Sequence, residues 1–298
     1  MKASGWTQEQ LARELLVSFP TINAWLNERS KPRKRALLNI EKLYLEIVGD
    51  EILDKAELRS TKNSVLDWKL EPRTLVDNQT MLRKLTLYIT YHTNTIEGST
   101  MTLSDVENVI FENKVLSNRT AVEQAEARNH QAALLWVLEQ IVERNKNFTI
   151  DEELILSVHL RLMNGIMNDA GMYRKHSVRI MGTQVVLANW LKVHELMNQF
   201  VIDLREPSKD IVSDLAKTHA IFEKIHPFSD GNRRTGRLLL LAQALQAGFV
   251  PPLIVKERRY AYYKYLETAQ TKANYSSLEL FIAQSMQFCH KLLSSEKR

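Results

Sequence analysis

The chain has 298 residues and a net charge of +5, with nine glycines, seven prolines and a single cysteine. That length suits one large or two modest domains with a sizeable core. Few glycines and prolines beside abundant Leu, Ala, Glu, Lys and Gln favour helix over sheet throughout, an all-α class. No apolar run approaches the ~20 residues that span a bilayer, and the N-terminus lacks a signal-peptide pattern, so no membrane contact is expected. Cys289 alone excludes an internal disulfide framework and fits a reducing, cytoplasmic setting; it reads as a small core residue on the last helix. Scattered histidines offer no zinc-type cluster.

Charge is unevenly placed. Residues 1–35 hold seven Lys and Arg against three acids, a net of +4 that leaves the remainder nearly neutral, so this end is expected to meet a polyanion. Thr7 is placed to cap a first helix whose apolar face is Leu11, Ala12, Leu15 and Leu16. Ser18 caps a second through Ile22, Trp25 and Leu26, Pro32 follows a basic loop, and a third helix runs from Arg35 to Ile47. Two short helices joined by a tight turn form the logic of a helix-turn-helix reader of DNA. The pattern T-Q-x-x-L-A…V-S…T-I…W-L…P resembles the phage-repressor (Cro/CI-type) group. The resemblance implies that Thr21, Asn23 and Asn27 face bases, and that Ser18, Arg29 and Lys31 meet phosphates. That group carries a further helix ahead of the Thr-Gln pair, where only Met1 to Gly5 stand, so either the unit is shortened or its true start lies upstream of Met1. A helical protein-docking module is the competing reading. The unit is bounded at 1–50, with a linker and short helices over 51–80 and the main domain over 81–298.

A helix is expected from Met81 toward Thr95, with Leu82, Leu85, Tyr88 and Ile89 at core spacing. Its end reads Thr93-Asn94-Thr95-Ile96-Glu97-Gly98: Thr93 and Glu97 share a face and Gly98 can terminate the helix. By itself this is an ordinary helix C-terminus. A long amphipathic helix follows over Glu123 to Glu143, and Thr149 to Asp151 starts another through Leu154, Val158, His159 and Leu162. The stretch Ser177 to Val186 is β-like, with β-branched residues around Gly182-Thr183, and is expected to form a short hairpin. Ile211 to Ile225 forms the next helix, on which His219 reads as a packed histidine.

That helix delivers His226 to Arg237, H-P-F-S-D-G-N-R-R-T-G-R, which runs into L-L-L-L-A-Q-A-L, a strong former of buried helix. A Gly-Asn turn opening such a helix leaves backbone N–H groups unpaired, and with the helix dipole they form an anion site. Arg234 and Arg237 fall on one helical face and can clamp phosphate oxygens. Asp230 can hold a magnesium ion that bridges phosphates, His226 can take a proton from an attacking hydroxyl, and Phe228 anchors the loop in the core. The segment reads as a polyphosphate cradle beside a general base. Farther on, Tyr260, Tyr262, Tyr263 and Tyr265 cluster before Gln270.

The segment resembles the signature of the Fic family, H-x-F-x-[DE]-G-N-[GK]-R-x-x-R, with Arg233 standing where the family has Gly or Lys. A residue with a Cβ is penalised at that place if the backbone there needs a positive φ. The family transfers AMP from ATP to a hydroxyl on a protein and releases pyrophosphate. The resemblance implies a helical core with a small β-hairpin flap, His226 as base, Mg2+ or Mn2+ on Asp230, and phosphates held along Gly231, Asn232, Arg233, Arg234, Thr235, Gly236 and Arg237. It further implies adenine contacts at Tyr263 and Gln270. Met181, Gly182, Thr183 and Gln184 would form a flap that receives a target segment by strand addition. Thr93 to Gly98 resembles the family's inhibitory motif, [ST]-x-x-x-E-[GN], which implies that Glu97 pairs with Arg237 and brings negative charge to the phosphate site. Like charges ~4 Å apart at an effective dielectric of about 20 cost roughly 4 kcal/mol.

Three functions compete. One is an autoinhibited protein adenylyltransferase that modifies a Tyr, Thr or Ser hydroxyl of a target protein or of itself. Another is a hydrolase that removes AMP, with Glu97 positioning the water. The third is a transcription regulator that senses nucleotide, against which the intact His226 and Asp230 argue. The expected partners are ATP, a hydroxyl-bearing protein and DNA, and a homodimer is compatible with the reading.

Overall fold

The structure, a computed structural model, describes residues 6–47, 54–205 and 210–295 and is helical nearly throughout. Residues 1–5 and the expected boundary near residue 50 lie outside the described residues. The N-terminal unit consists of α1 (Gln8–Glu14), α2 (Phe19–Leu26) and α3 (Lys34–Ile47). Thr7 caps α1 in a capping box: its hydroxyl accepts from the Gln10 N–H, while Gln10 Oε1 accepts from the Thr7 N–H at 2.9 Å. Ser18 caps α2. Ala12, Leu15 and Ile22 form a small core of their own, with Trp25 and Ile40 packed against it. α3 is shared with the rest of the chain, because Leu45 is buried in the main core and Glu41 Oε1 lies 2.6 Å from Nη2 of Arg258.

The stretch expected as linker and short helices holds α4 (Lys55–Val65) and α5 (Pro72–Asp77), and α4 packs along the last helix. Then come α6 (Gln79–Ile96), α7 (Leu103–Phe111) and α8 (Ala121–Arg144). Asn78 caps α6, and Thr120 with Glu123 forms a capping box on α8. Along α8, Ala127, His130, Leu134, Val137 and Ile141 are buried at spacings of three and four, the stripe that seats it on its neighbours. Glu123 also accepts from the N–H of Thr100 at 2.6 Å and from its hydroxyl at 2.9 Å, which fastens the chain just after α6 onto α8.

The remainder comprises α9 (Glu152–Met163), α10 (Val193–Leu204), α11 (Ile211–Ile225), α12 (Asn232–Gln246), α13 (Arg259–Lys272) and α14 (Ser276–Ser294). Leu238, Leu239, Leu240 and Leu241 are all buried, so α12 is apolar around its circumference and must lie at the centre. It packs against α6, α8, α9 and α11. Its arginine-rich first turn, reached by the loop that leaves α11, therefore emerges beside the end of α6 and the flank of α8.

One expectation is corrected. The β-hairpin does not form: residues 177–189 run as irregular chain with a turn at Met181–Gly182. Instead of pairing with each other, its two arms are tied elsewhere. Thr183 Oγ1 and the Gln184 N–H both donate to Glu267 Oε1 on α13 at 2.8 Å, and Ala188 N–H donates to Lys224 O. Among the described residues the β-type pairing is a single bridge, Lys69 with Phe249.

Candidate active site

His226 caps α11 in the left-handed region, at φ +51°. The loop that follows is clasped from both sides by Asn232, whose Oδ1 accepts from the Phe228 N–H and whose Nδ2 donates to the Phe228 carbonyl, each at 2.8 Å. The fully buried Phe228 ring stacks on His159, with centroids 3.7 Å apart and planes within 4°. The positive φ of the turn falls on Gly231, at +74°, and not on Arg233, which lies inside α12. A Cβ on Gly231 would come 2.7 Å from Met163 Sδ. Arg233 therefore carries no backbone penalty. No side chain caps α12, so its first N–H groups are open to a ligand.

These pieces face a cavity of about 420 Å³ lined by His226, Asp230 to Arg234, Glu97, Glu126 and residues 178–181. His226 Nδ1 lies 3.2 Å from the Glu223 carbonyl. A carbonyl only accepts, so Nδ1 carries the proton and Nε2 keeps its lone pair. Burial pulls the His226 imidazole down to about 4; the Glu223 carbonyl opposes the drop, and Arg233 and Arg174 deepen it. The ring is neutral at pH 7 and able to accept a proton.

Arg237 is buried and already engaged. Its Nε donates to Thr93 Oγ1 at 2.5 Å, and its Nη2 donates to Glu97 Oε1 at 2.7 Å. Arg233 Nη1 lies 3.5 Å from the other Glu97 oxygen. Burial alone would raise the Glu97 carboxyl, but Arg237 and Arg233 outweigh it and hold it below its ordinary value. Arg234 pairs with Glu126 on α8 at 2.7 Å. Asp230 accepts from the Gly231 N–H at 2.6 Å, and its side chain is 73 % exposed. Among the described residues no group of three acidic, His or Cys side chains gathers to hold a metal. An exposed carboxylate whose ionic partner, Arg234 Nη2, lies 4.0 Å away suits an ion such as Mg2+ that takes its remaining ligands from phosphate and water.

Of the other expected positions, Thr235 donates its hydroxyl to the Gly231 carbonyl, and Gly236 faces Glu223. Met181 lines the cavity; Thr183 and Gln184 are tied to Glu267. Tyr263 sits beneath Arg233, whose guanidinium lies 4.3 Å from the ring centroid, and does not line the cavity. Gln270 is turned away from it, donating to the Ala220 carbonyl on α11. His219 is packed as expected, 2.7 Å from Tyr262 Oη, and Cys289 is buried on α14. In the N-terminal unit Thr21 and Lys31 line one groove with Trp25, Arg33 and Arg35. Asn23 and Asn27 point instead into local bonds, to Gln8 Oε1 and to the Asn23 carbonyl.

Three residues shape the site without having been singled out from sequence. His159 Nδ1 accepts from the Gly171 N–H, which leaves Nε2–H to donate to the Asp230 carbonyl at 3.0 Å. Buried Arg174 donates to the carbonyls of His226, His176 and Ala188, tying the loop to the 176–188 segment. Glu126 fixes Arg234. Each partner is distant in sequence, and only the helical register of Glu126 on α8 and of His159 on α9 hinted at an inward face.

The profile of the Fic/DOC family matches residues 149–244, and that of a helix-turn-helix family matches residues 1–44. A protein adenylyltransferase Fic of Nematostella vectensis is 29% identical over 259 residues, which is 84% of this chain and 55% of that protein. Another, from Aedes aegypti, is 31% identical over 183 residues, 60% of this chain and 36% of that protein. The chain thus spans about half the length of the first and about a third of the second. Among solved structures, Fic-1 of C. elegans superposes with a TM-score of 0.68 at 23% identity, covering 95% of this chain and 84% of that one. A Fic family protein of Desulfovibrio desulfuricans gives 0.64 at 23%, covering 80% and 74%. The chain therefore contains a Fic/DOC family domain, with a helix-turn-helix domain ahead of it.

Proposed function

We propose that this site transfers AMP from ATP to a hydroxyl of a Tyr, Thr or Ser side chain, on a target protein or on the chain itself, and that Glu97 holds it in check. One observation carries the reading: a neutral histidine with a free Nε2 faces the same cavity as an uncapped helix N-terminus whose Arg233 and Arg234 line it. In this mechanism the hydroxyl oxygen forms a bond to the α-phosphorus as the bond from that phosphorus to the β-phosphate oxygen breaks. Pyrophosphate leaves, and the hydroxyl proton passes to His226 Nε2. The open N–H groups of α12, with Arg234 and Arg237, bind and orient the phosphates. Asp230 would hold a Mg2+ or Mn2+ ion, which when bound neutralises charge on the phosphates. Glu97 occupies Arg237 and places a carboxylate where the phosphates must lie, so ATP is turned from its productive pose. Labelled ATP incubated with the wild type and with Glu97→Gly, with and without EDTA, tests the reading: metal-dependent label on protein, greater in the variant, is expected.

Glu97 lines the same cavity as His226, which favours one second reading, removal of AMP by a water that Glu97 positions. Glu97→Gly losing AMP release from a modified protein, with no gain in labelling, would put that reading first. For the helix-turn-helix domain we propose DNA binding, supported by the basic groove of Lys31, Arg33 and Arg35 beside Thr21.

A further inference from the structure

Behind His226 lies a carboxyl that the reaction above does not use. Glu223, one turn earlier on α11, is 1 % exposed, and among the described residues neither of its oxygens has a hydrogen-bond donor. Its Oε2 is 3.8 Å from His226 Nδ1. On its other side is Gly236 of the signature: a Cβ there would fall 2.4 Å from Glu223 Oε1, so a residue without a side chain makes the room that this carboxyl fills. An unpartnered buried carboxyl is expensive, and such groups persist where they have a task.

We propose that Glu223 is a positioning residue for His226, its carboxylate holding the imidazole in place and stabilising the ring as it takes up the hydroxyl proton. The proposal rests on the AMP-transfer reading for its role in turnover. Its geometric part, a carboxylate coupled to the ring, does not need that reading. His226 already donates Nδ1–H to the Glu223 backbone carbonyl, so the same residue supplies both the acceptor that sets the tautomer and the charge behind it.

The surroundings favour the arrangement. Arg233 and Arg237 face Glu223 from α12, Glu97 from α6, Tyr262 from α13, and His219 and His226 from its own helix. Burial pushes the carboxyl up to about 7; Arg233 and Arg237 pull down against it and Glu97 pushes up. With His226 drawn down to about 4, the first proton the pair binds goes to the carboxyl. Above neutrality an anion stands beside a neutral base, the state that welcomes a proton on Nε2. Below it the anion is gone.

The test uses the intact chain. Imidazole nitrogen shifts of His226, assigned by comparison with His226→Ala, are followed from about pH 5 to 9 without nucleotide. An inflection near neutrality in the wild type that vanishes in Glu223→Gln is expected; one that persists in the variant, or that is absent from both, overturns the proposal. Transfer is then measured in the Glu97→Gly background. Glu223→Gln should lower kcat by about tenfold or more with KM for ATP within about twofold, and Glu223→Asp should recover part of the loss. An unchanged kcat, or a loss confined to KM, also overturns it. If Glu97→Gly incorporates no label at all, the transfer reading fails, while the nitrogen titration still decides whether Glu223 is coupled to His226.

Discussion

Arg237 Nη2 lies 2.7 Å from Glu97 Oε1, and the two residues are 140 positions apart. Thr93, one turn before Glu97 on α6, takes the Nε of the same arginine, so a single helix end holds most of one guanidinium. Nη1 of Arg237 is left without a protein partner among the described residues.

If the proposed transfer is right, removing that hold should increase it. Glu97→Gly frees Arg237 for phosphate and should raise adenylylation, self-modification included, by more than about tenfold, the equivalent of ~1.4 kcal/mol in the transition state. Arg237→Ala should be inactive in either background. Label incorporation from ATP checks both; an Arg237→Ala variant as active as its parent would remove the arginine from phosphate binding.

Loss of the base has a different signature. His226→Ala should lower transfer by ~10²–10⁴-fold while ATP affinity, read by calorimetry, stays within about twofold. A parallel loss of affinity would mean that the ring serves binding and not proton transfer.

Arg233 stands at the Gly-or-Lys place of the signature pattern, 3.5 Å from Glu97 and stacked on Tyr263, which would make it a second arm of the proposed lock. Arg233→Gly should raise transfer by about two- to tenfold in the otherwise wild-type chain, since a partly buried ion pair is worth roughly 1 kcal/mol. In the Glu97→Gly background it should add nothing, because the lock is already open. A drop in that background would instead assign the side chain to ATP.

DNA binding by the N-terminal unit should weaken steeply with salt as phosphate contacts release counterions. Lys31→Glu with Arg33→Glu should remove most of the affinity in a mobility-shift titration and leave the melting temperature nearly unchanged, both side chains being exposed. These substitutions are preferable to deleting the unit, because Leu45 is part of the main core. If the intact protein shifts no duplex at low salt, protein docking becomes the better reading of this unit.

Stability should fall on acidification. Burial draws His130 and His219 down to about 3, and His159 and His226 to about 4. Between about pH 6.5 and 4 the unfolded chain binds these protons and the native chain does not, so stability rises with pH across that window. Each histidine contributes up to about 1.4 kcal/mol per pH unit there. Thermal melts at pH 7 and pH 5 check this: a Tm that holds steady would contradict neutral burial of these rings.

The helices were legible because their signals are local. Thr7 and Ser18 cap where their side chains can reach the next turn, the helix over Ile211–Ile225 ends at the expected residues, and the signature packs its chemistry into twelve consecutive positions. The pairing of Glu97 with Arg237 was legible only by resemblance to a family, since nothing local links two residues 140 apart. What tertiary structure alone decided lies between elements. β-branched residues around Gly182 suggested a hairpin, but strand formation depends on a partner, and Glu267 of α13 takes the Gln184 N–H that a ladder would have used, with the Thr183 hydroxyl beside it. Arg234 meets Glu126 across 108 positions, His159 meets Asp230 across 71, and Gly236 meets Glu223 where α12 crosses α11. Capping and periodicity act over one or two turns of chain, whereas the burial that drives His226 to neutrality is a property of the packed core and of no segment within it.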